Sequence, residues 1–573
     1  MAKSHNPAGY KLPVNPEAKK GTVAQGFVTP KQDRNPQIQT IPPKRVIPII
    51  FIPGIMGSNL RMNALRQNQF GQENNIAWRP DHLLATYPLH DDTSSERQLR
   101  FDPYSTELDT YDPKTNITGN SAETSDDRNS DVAFSRQYGG WGKAGGPLLK
   151  DDLPGVKDAK RKEQKARERG WGEVYFDSYK TILSECEIRL NAGLSERYMD
   201  SYLANSVAAV SPEKWQVHPS TPLKSVEVNE MRSAIKGCWF PVHAMGYNWL
   251  RENFESGVVI AKRIRALISR YQEQGYQCEK VVLLTHSMGG LVARAVIHPE
   301  MGALNDKVLG VIHGVMPAVG AATAYKRIRC GFEGDNTAAK ILGARGSHVT
   351  SVLANSQGGL ELLPSEDYGN GWLQLRQGGK TVKSLPENGD PYDEIYKTQG
   401  KWFSLLRKEW INPAGLPNSS FLNTCVLLER ARQFHRDIAR TYHDQSYAHY
   451  GADNSGPAWH KVVWQIDADV NIDDFDNLLV ARDDERGNLL LKKPILQGGS
   501  PAIAFNACLL GAMDAGDQTV PVFSADAQLR SGKFKGIFRQ TGYEHQASYK
   551  DEKVLASTIY SLFKIVGSMK WSN

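Results

Sequence analysis

Val281 to Gly290 reads VVLLTHSMGG. Its first four residues form a short apolar run without alternation, the pattern of a strand buried on both faces of a parallel sheet. Ser287 follows, between Thr285 and Gly289, and a probable turn gives way to an apolar helical stretch from Gly289 to about His298. A serine forced into a tight strand-to-helix turn presents its Oγ above the sheet, provided that small residues flank it. Gly289 meets that need. Thr285 stands where the G-x-S-x-G pattern has its first glycine, so its side chain has to fit against the turn. Strand, small residue and helix still fall in register, and Ser287 is the candidate nucleophile.

Working outward, Ile260, Ile264, Leu267, Ile268 and Tyr271 fall on one face of a helix upstream, with Gly275 placed to end it. Further upstream, Val46 to Ile52 (VIPIIFI) is a second apolar run and ends in Pro53-Gly54. Downstream, Val308 to Ile312 gives a third strand and Val462 to Ile466 a fourth, and Val554, Leu555, Ile559, Leu562, Phe563 and Val566 make a closing helix. Strands alternating with helices predict an α/β fold, a mostly parallel sheet covered by helices. With the elbow at Ser287 this is the α/β-hydrolase pattern. Residues 1–44, rich in Pro, Lys, Gln and Asn, read as a flexible N-terminal arm, and 45–573 as the hydrolase domain. Two stretches of mixed polar texture, about 60–235 and about 325–455, read as cap or lid insertions. Trp372, Trp402 and Trp410 lie in the second and suit either cap core or contact with acyl chains.

Serine is a weak nucleophile at neutral pH and needs a histidine base with a carboxylate to orient it. In this fold the order is Ser, acid, His. Asp517, in MDAGDQTVP (513–521), stands in a D-x-x-V-P arrangement at a strand-end loop and is the leading acid, with Asp514 as the alternative. Of the 14 histidines, His545 in TGYEHQASYK lies between a strand at Gly536 to Gln540 and the closing helix, where the base belongs. Strand alternation points His286 away from the nucleophile, and His243 and His313 suit core or pocket positions. The oxyanion needs backbone N–H donors. The amides of Met288, next to the nucleophile, and of Ile55, in the Gly54-Ile55-Met56-Gly57 turn, are the candidates. The pattern as a whole is that of a serine carboxylic-ester hydrolase.

Composition narrows the alternatives. A formal charge of +6 from 69 basic and 63 acidic residues is too small an excess over 573 residues to suggest nucleic acid, though it suits an anionic membrane surface. The six cysteines contain no C-x-x-C pair, which argues against a zinc site and a disulfide framework and for buried free thiols. The N-terminal sequence lacks the apolar segment of a Sec signal, and no run is long enough for a transmembrane helix. The basic stretch Lys157 to Arg169 reads as a solvated helix face. Asp467 to Asp474 offers oxygen ligands at alternate positions, a candidate Ca²⁺ loop, but lacks the glycine and glutamate of an EF-hand and reads more simply as a solvated acidic loop. No metal or cofactor is required by the serine chemistry.

PGIMGSNL (53–60), THSMGG (285–290) and GDQTVP (516–521) together resemble the lecithin–cholesterol acyltransferase and bacterial lipase branches of the fold. More specifically, THSMGGLVARAVIHPEMG (285–302), GVIHGVMPAVGAATAYKR (310–327) and YEHQASYK (543–550) resemble the third family of type VI secretion lipase effectors, over residues from about 45 onward. The resemblance implies an antibacterial phospholipase, made in a bacterial cytoplasm and injected into the periplasm of a rival cell, where it cuts acyl esters of membrane phospholipids. It carries Ser287, Asp517 and His545 over as the triad. It further implies a spike or adaptor protein for loading and a cognate immunity protein. An intracellular lipid esterase or acyltransferase is the competing expectation, since it too needs no Sec signal.

Overall fold

The computed structural model describes residues 43–72, 74–81, 87–110, 169–191, 193–194, 198–467, 472, 474–493 and 504–572, with the backbone of three strands before residue 42. Those three, Val14–Glu17, Gly21–Gly26 and Gln37–Ile41, pair antiparallel within the stretch that the sequence presents as a flexible arm.

A six-stranded parallel sheet organises the chain. Its strands are β1 (Ile49–Ile52), β2 (Val242–Ala244), β3 (Val281–His286), β4 (Val308–Gly314), β5 (Ser446–Gly451) and β6 (Phe534–Gln540). The order is β2-β1-β3-β4-β5-β6, and every neighbouring pair is parallel. The helices used below are α1 (Phe176–Asn191), α2 (Asn253–Glu273), α3 (Gly289–Ile297), α4 (Ala322–Cys330) and α5 (Glu552–Gly567).

Because side chains alternate along a strand, each strand feeds two cores. Ile50 and Ile52 of β1 and Leu283 of β3 pack with Ile260 and Ile264 of α2 and Leu291 and Val292 of α3. Ile49, Phe51, Val282 and Leu284 point the other way, onto Tyr179 and Ile182 of α1 and Ile559, Leu562 and Phe563 of α5. Burial on both faces is why these strands read as continuous apolar runs. Gly275, with φ of +86°, follows the end of α2 as its position in the sequence predicts.

One strand assignment is corrected. Val462–Ile466 does not join the main sheet; it lies in a second six-stranded sheet, between Leu373–Gln377 and Ala504–Leu509. Val462 and Trp464 are fully buried there, so the apolar run reports burial correctly but not which sheet it serves. The place in the main sheet belongs to Ser446–Gly451, SYAHYG, within the stretch expected as an insertion. This strand is buried throughout, and two of its hydroxyls find partners beside it. Ser446 Oγ donates to His443 O at 2.7 Å and Tyr450 donates to Asp526 at 2.7 Å.

The described part of 60–235 does two things. Leu60–Met62, Ile76–Trp78 and Thr106–Leu108 form a small antiparallel sheet directly after the Gly54–Gly57 turn, while α1 covers one face of the main sheet. Of the tryptophans in the second insertion, Trp372 and Trp402 are fully buried and Trp410 is buried, so they form core. Cys186, Cys278 and Cys330 are buried free thiols, and the other three are partly exposed and also free. Among the described residues no helix is long and apolar enough to cross a membrane. Residues 157–168 of the basic stretch, and 468–471 and 473 of the acidic loop, lie outside the described residues.

Candidate active site

β3 ends at His286, and the chain turns sharply into α3. Ser287 takes φ of +54°, a left-handed conformation that costs a non-glycine residue energy and persists only where its surroundings fix it. Two backbone bonds do so: Ser287 N donates to Gly314 O at 2.8 Å, and Gly290 N donates to Ser287 O at 2.9 Å. Gly289 is required because a Cβ there would run into the carbonyl oxygens of Ile52 and Pro53. Thr285 does fit: it is fully buried, and its Oγ1 donates to Ile312 O at 3.4 Å.

The loop between β6 and α5 brings His545 over this turn. Its Nε2 lies 2.9 Å from Ser287 Oγ, and its Nδ1 lies 2.8 Å from Asp517 Oδ2. Asp517 is fully buried. Its other oxygen accepts from the amides of Val520 at 2.7 Å and Thr519 at 3.2 Å, and its carbonyl accepts from His545 N at 2.9 Å. The carboxylate can only accept from Nδ1, so Nδ1 carries the proton and Nε2 is left to accept the serine proton. Asp514, the alternative acid, instead accepts from Lys461 N at 3.2 Å and pairs in a short strand away from the histidine.

The Gly54–Gly57 turn is closed by Gly57 N donating to Gly54 O at 3.0 Å, and it presses against the nucleophile: a Cβ on Gly54 would come within 2.8 Å of Ser287 Cβ. Ile55 lines the same cavity as Ser287, and Met288 opens α3. Among the described residues neither the Ile55 nor the Met288 amide donates to a protein acceptor. The Gly54–Gly57 turn and the start of α3 thus each keep one uncommitted N–H group.

A second tier of residues was not found from the sequence. His286 is fully enclosed, and burial, helped by the neighbouring His545, pushes its pKa down to about 3. It is therefore neutral. Its Nε2 donates to the carbonyl of His545 at 3.0 Å, and its Nδ1 accepts from the Tyr179 hydroxyl at 3.2 Å. Tyr179 in turn accepts from the Gly54 amide at 3.4 Å. One chain of hydrogen bonds thus runs from the Gly54–Gly57 turn through α1 to the backbone of the base. Beside it, Gln546 Nε2 donates to Ser178 Oγ at 2.7 Å. Of the other histidines, His243 bonds Tyr271 at 2.9 Å in the core, and His313 is buried with its pKa pushed down to about 3 by burial.

The serine opens into a cavity of about 710 Å³. Its lining is mixed: Trp78, Met56, Ile341, Leu342, Leu353 and Leu362 are among the apolar side chains, and Arg327, Glu333, Asn336, Thr519, Glu544 and Gln546 among the polar ones. The short helix Thr337–Leu342 forms part of its wall, between Gly334 (φ +84°) and Gly343 (φ +113°). Arg97 holds that helix, donating to the carbonyls of Lys340 at 2.6 Å, Ile341 at 2.9 Å and Leu89. Among the described residues no cluster of His, Cys, Asp or Glu could hold a metal ion.

Comparison with known proteins agrees with this architecture. A family described as PGAP1-like alpha/beta domain matches residues 225–326, which span β2, α2, β3, the turn at Ser287, α3, β4 and most of α4. The crystal structure of a Tle4–Tli4 complex superposes with a TM-score of 0.70 at 28% identity, over 92% of this chain and 99% of that one. No curated protein matches the sequence. The fold is an α/β-hydrolase, as the strand and elbow pattern predicts, and the chain is similar to the type VI secretion lipase effectors. That similarity holds at the level of the effector class; assignment to its third family rests on the sequence motifs alone. Fold and similarity together support a lipase or esterase.

Proposed function

We propose that this chain is a phospholipase that hydrolyses acyl esters of membrane phospholipids through Ser287, His545 and Asp517. The observation that carries the reading is the hydrogen-bonded line Asp517–His545–Ser287 opening into a cavity lined by both apolar and polar side chains. His545 Nε2 takes the proton as Ser287 attacks the ester carbonyl, and Asp517 stabilises the imidazolium that results. The amides of Ile55 and Met288 receive the developing oxyanion. The imidazolium then protonates the departing lysolipid oxygen, and water, deprotonated by the same histidine, releases the fatty acid. No cofactor is needed, because imidazole and two amides supply the activation.

Likeness to Tle4 supports delivery by type VI secretion; loading on a spike or adaptor protein and action in the periplasm of a rival cell are proposed from the sequence resemblance. The Tle4–Tli4 complex supports a cognate immunity protein as partner. The test is release of fatty acid and lysolipid from mixed phosphatidylethanolamine and phosphatidylglycerol vesicles, with and without EDTA. Wild type is expected to release both products whether or not EDTA is present, and Ser287→Ala to release neither while melting at the wild-type temperature. Hydrolysis confined to short soluble esters would reject the phospholipase in favour of an intracellular esterase.

A further inference from the structure

We propose that Arg327 binds the phosphodiester of a glycerophospholipid and that Glu333 occupies the phosphodiester position in the free enzyme. The assignment rests on the phospholipase reading above and names the group by which the site selects its substrate. Thr323, Ala324 and Arg327 of α4 line the cavity that holds Ser287. The Arg327 guanidinium donates to Thr519 Oγ1 at 3.3 Å, and the Thr519 amide donates to Asp517. Arg327 therefore lines the cavity two hydrogen bonds from the carboxylate that orients the base.

Its remaining donors meet Glu333 side-on: Nε lies 3.3 and 3.2 Å from the two carboxylate oxygens, and Nη2 lies 3.0 Å from Oε2. A planar guanidinium fork facing two oxygens of one anion is the geometry that also fits the two non-bridging oxygens of a phosphodiester. Among the described residues the Glu333 carboxylate is held by side chains of one helix alone, Arg327 and Lys326 of α4. Glu333 lies in a turn between Gly331 (φ +76°) and Gly334 (φ +84°), and its side chain is 36% exposed. Lys326 also reaches it, at 2.9 Å, from a nearly buried position. Two cations thus face one carboxylate, so a phosphodiester that takes the place of Glu333 meets both. Exchange of Glu333 for the phosphodiester keeps the guanidinium paired, and the freed carboxylate moves into water. An uncharged glyceride offers Arg327 nothing.

The experiment compares KM for dioleoylphosphatidylglycerol and for dioleoylglycerol in the same neutral detergent micelles, with wild type, Arg327→Gln and Arg327→Lys. Loss of a paired charge predicts that Arg327→Gln raises KM for the phospholipid about ten-fold more than for the glyceride. Arg327→Lys falls between, since it keeps the charge and loses the fork. Equal effects on both substrates, or none, overturn the subsite and leave the phospholipase standing. Wild type that cuts the glyceride but not the phospholipid overturns the phospholipase reading and the subsite with it. Fluorophosphonate labelling of Ser287 reports whether each variant is folded. Should Arg327→Gln fail to label, Glu333→Gln decides: with the competing carboxylate gone, KM for the phospholipid falls below wild type, and an unchanged or raised KM overturns the proposal. Inorganic phosphate separates the lipid diester from the free anion. Phosphate that inhibits glyceride hydrolysis by wild type but not by Arg327→Gln assigns the site to free phosphate and overturns the headgroup; no inhibition at millimolar phosphate is the expected result.

Discussion

Asp517 directs one oxygen at two backbone amides and the other at His545, so its orientation is fixed from both sides. Asp517→Asn keeps the shape but can offer its NH₂ to Nδ1, which favours the tautomer with the proton on the wrong nitrogen. Turnover of a phospholipid is expected to fall about 10³- to 10⁴-fold with little change in KM; a fall of less than ten-fold would assign the orienting role elsewhere. Tyr179 acts one bond further out. Tyr179→Phe removes the donor to His286 Nδ1 and the acceptor for the Gly54 amide, leaving both buried and unpaired at a cost of about 1–3 kcal/mol each. The expected outcome is a lower kcat with a lowered melting temperature and an unchanged fluorophosphonate stoichiometry. The candidates Ser287, Asp517 and His545 each stand in a short pattern with a mechanical reason, and the structure brings their side chains into hydrogen-bond contact. Tyr179 and His286 stand in no such pattern. Alternation correctly sends His286 to the face of Leu284, but nothing in the sequence announces that a tyrosine from α1 and the backbone of His545 meet it there.

The elements built from aliphatic runs, β1, β3 and β4, were readable because burial on both faces leaves no room for polar residues. Ser446–Gly451 occupies an equally buried position without an aliphatic run, since His443 and Asp526 supply partners for its hydroxyls. Periodicity measures burial through hydrophobicity, and a strand that buries hydroxyls with partners escapes that measure. Helix packing offers a sharper test. Gly257 of α2 faces Ala295 of α3, and a Cβ there would lie 2.5 Å from the alanine Cβ. Gly257→Val must therefore push α2 away from the helix that carries the nucleophile. Denaturant unfolding is expected to show a loss of about 1–3 kcal/mol, the range of overpacked cores. A variant as stable as wild type would mean that the two helices slide apart freely.

Across the whole molecule, stability should follow the buried ionisable groups. Burial first of all lowers His286, His313 and His449 from 6.5 to about 3 and His435 to about 4. Below pH 6.5 the unfolded chain takes up protons that the folded one refuses, so stability present above 6.5 is lost as pH falls toward about 3. Glu361 runs the other way: burial raises it from 4.5 to about 8, and the stability it confers below 4.5 is lost as pH rises through 8. Four histidines outweigh one glutamate on the acid side, and the glutamate acts on the alkaline side. The melting temperature is expected to peak close to pH 6.5, and Glu361→Gln to flatten the alkaline decline. A melting temperature that rises steadily from neutral to pH 8 would contradict it. The reach of the hydrogen-bond chain also has a consequence in time. His545 follows Ser287 by 258 residues. At ribosomal speeds of about 5–20 residues per second, the nucleophile emerges roughly 13 to 50 seconds before its base. Under the proposed mechanism, the nascent chain throughout that interval holds a serine without the histidine that would activate it, so a copy that stops short of His545 does no harm to the cell that makes it.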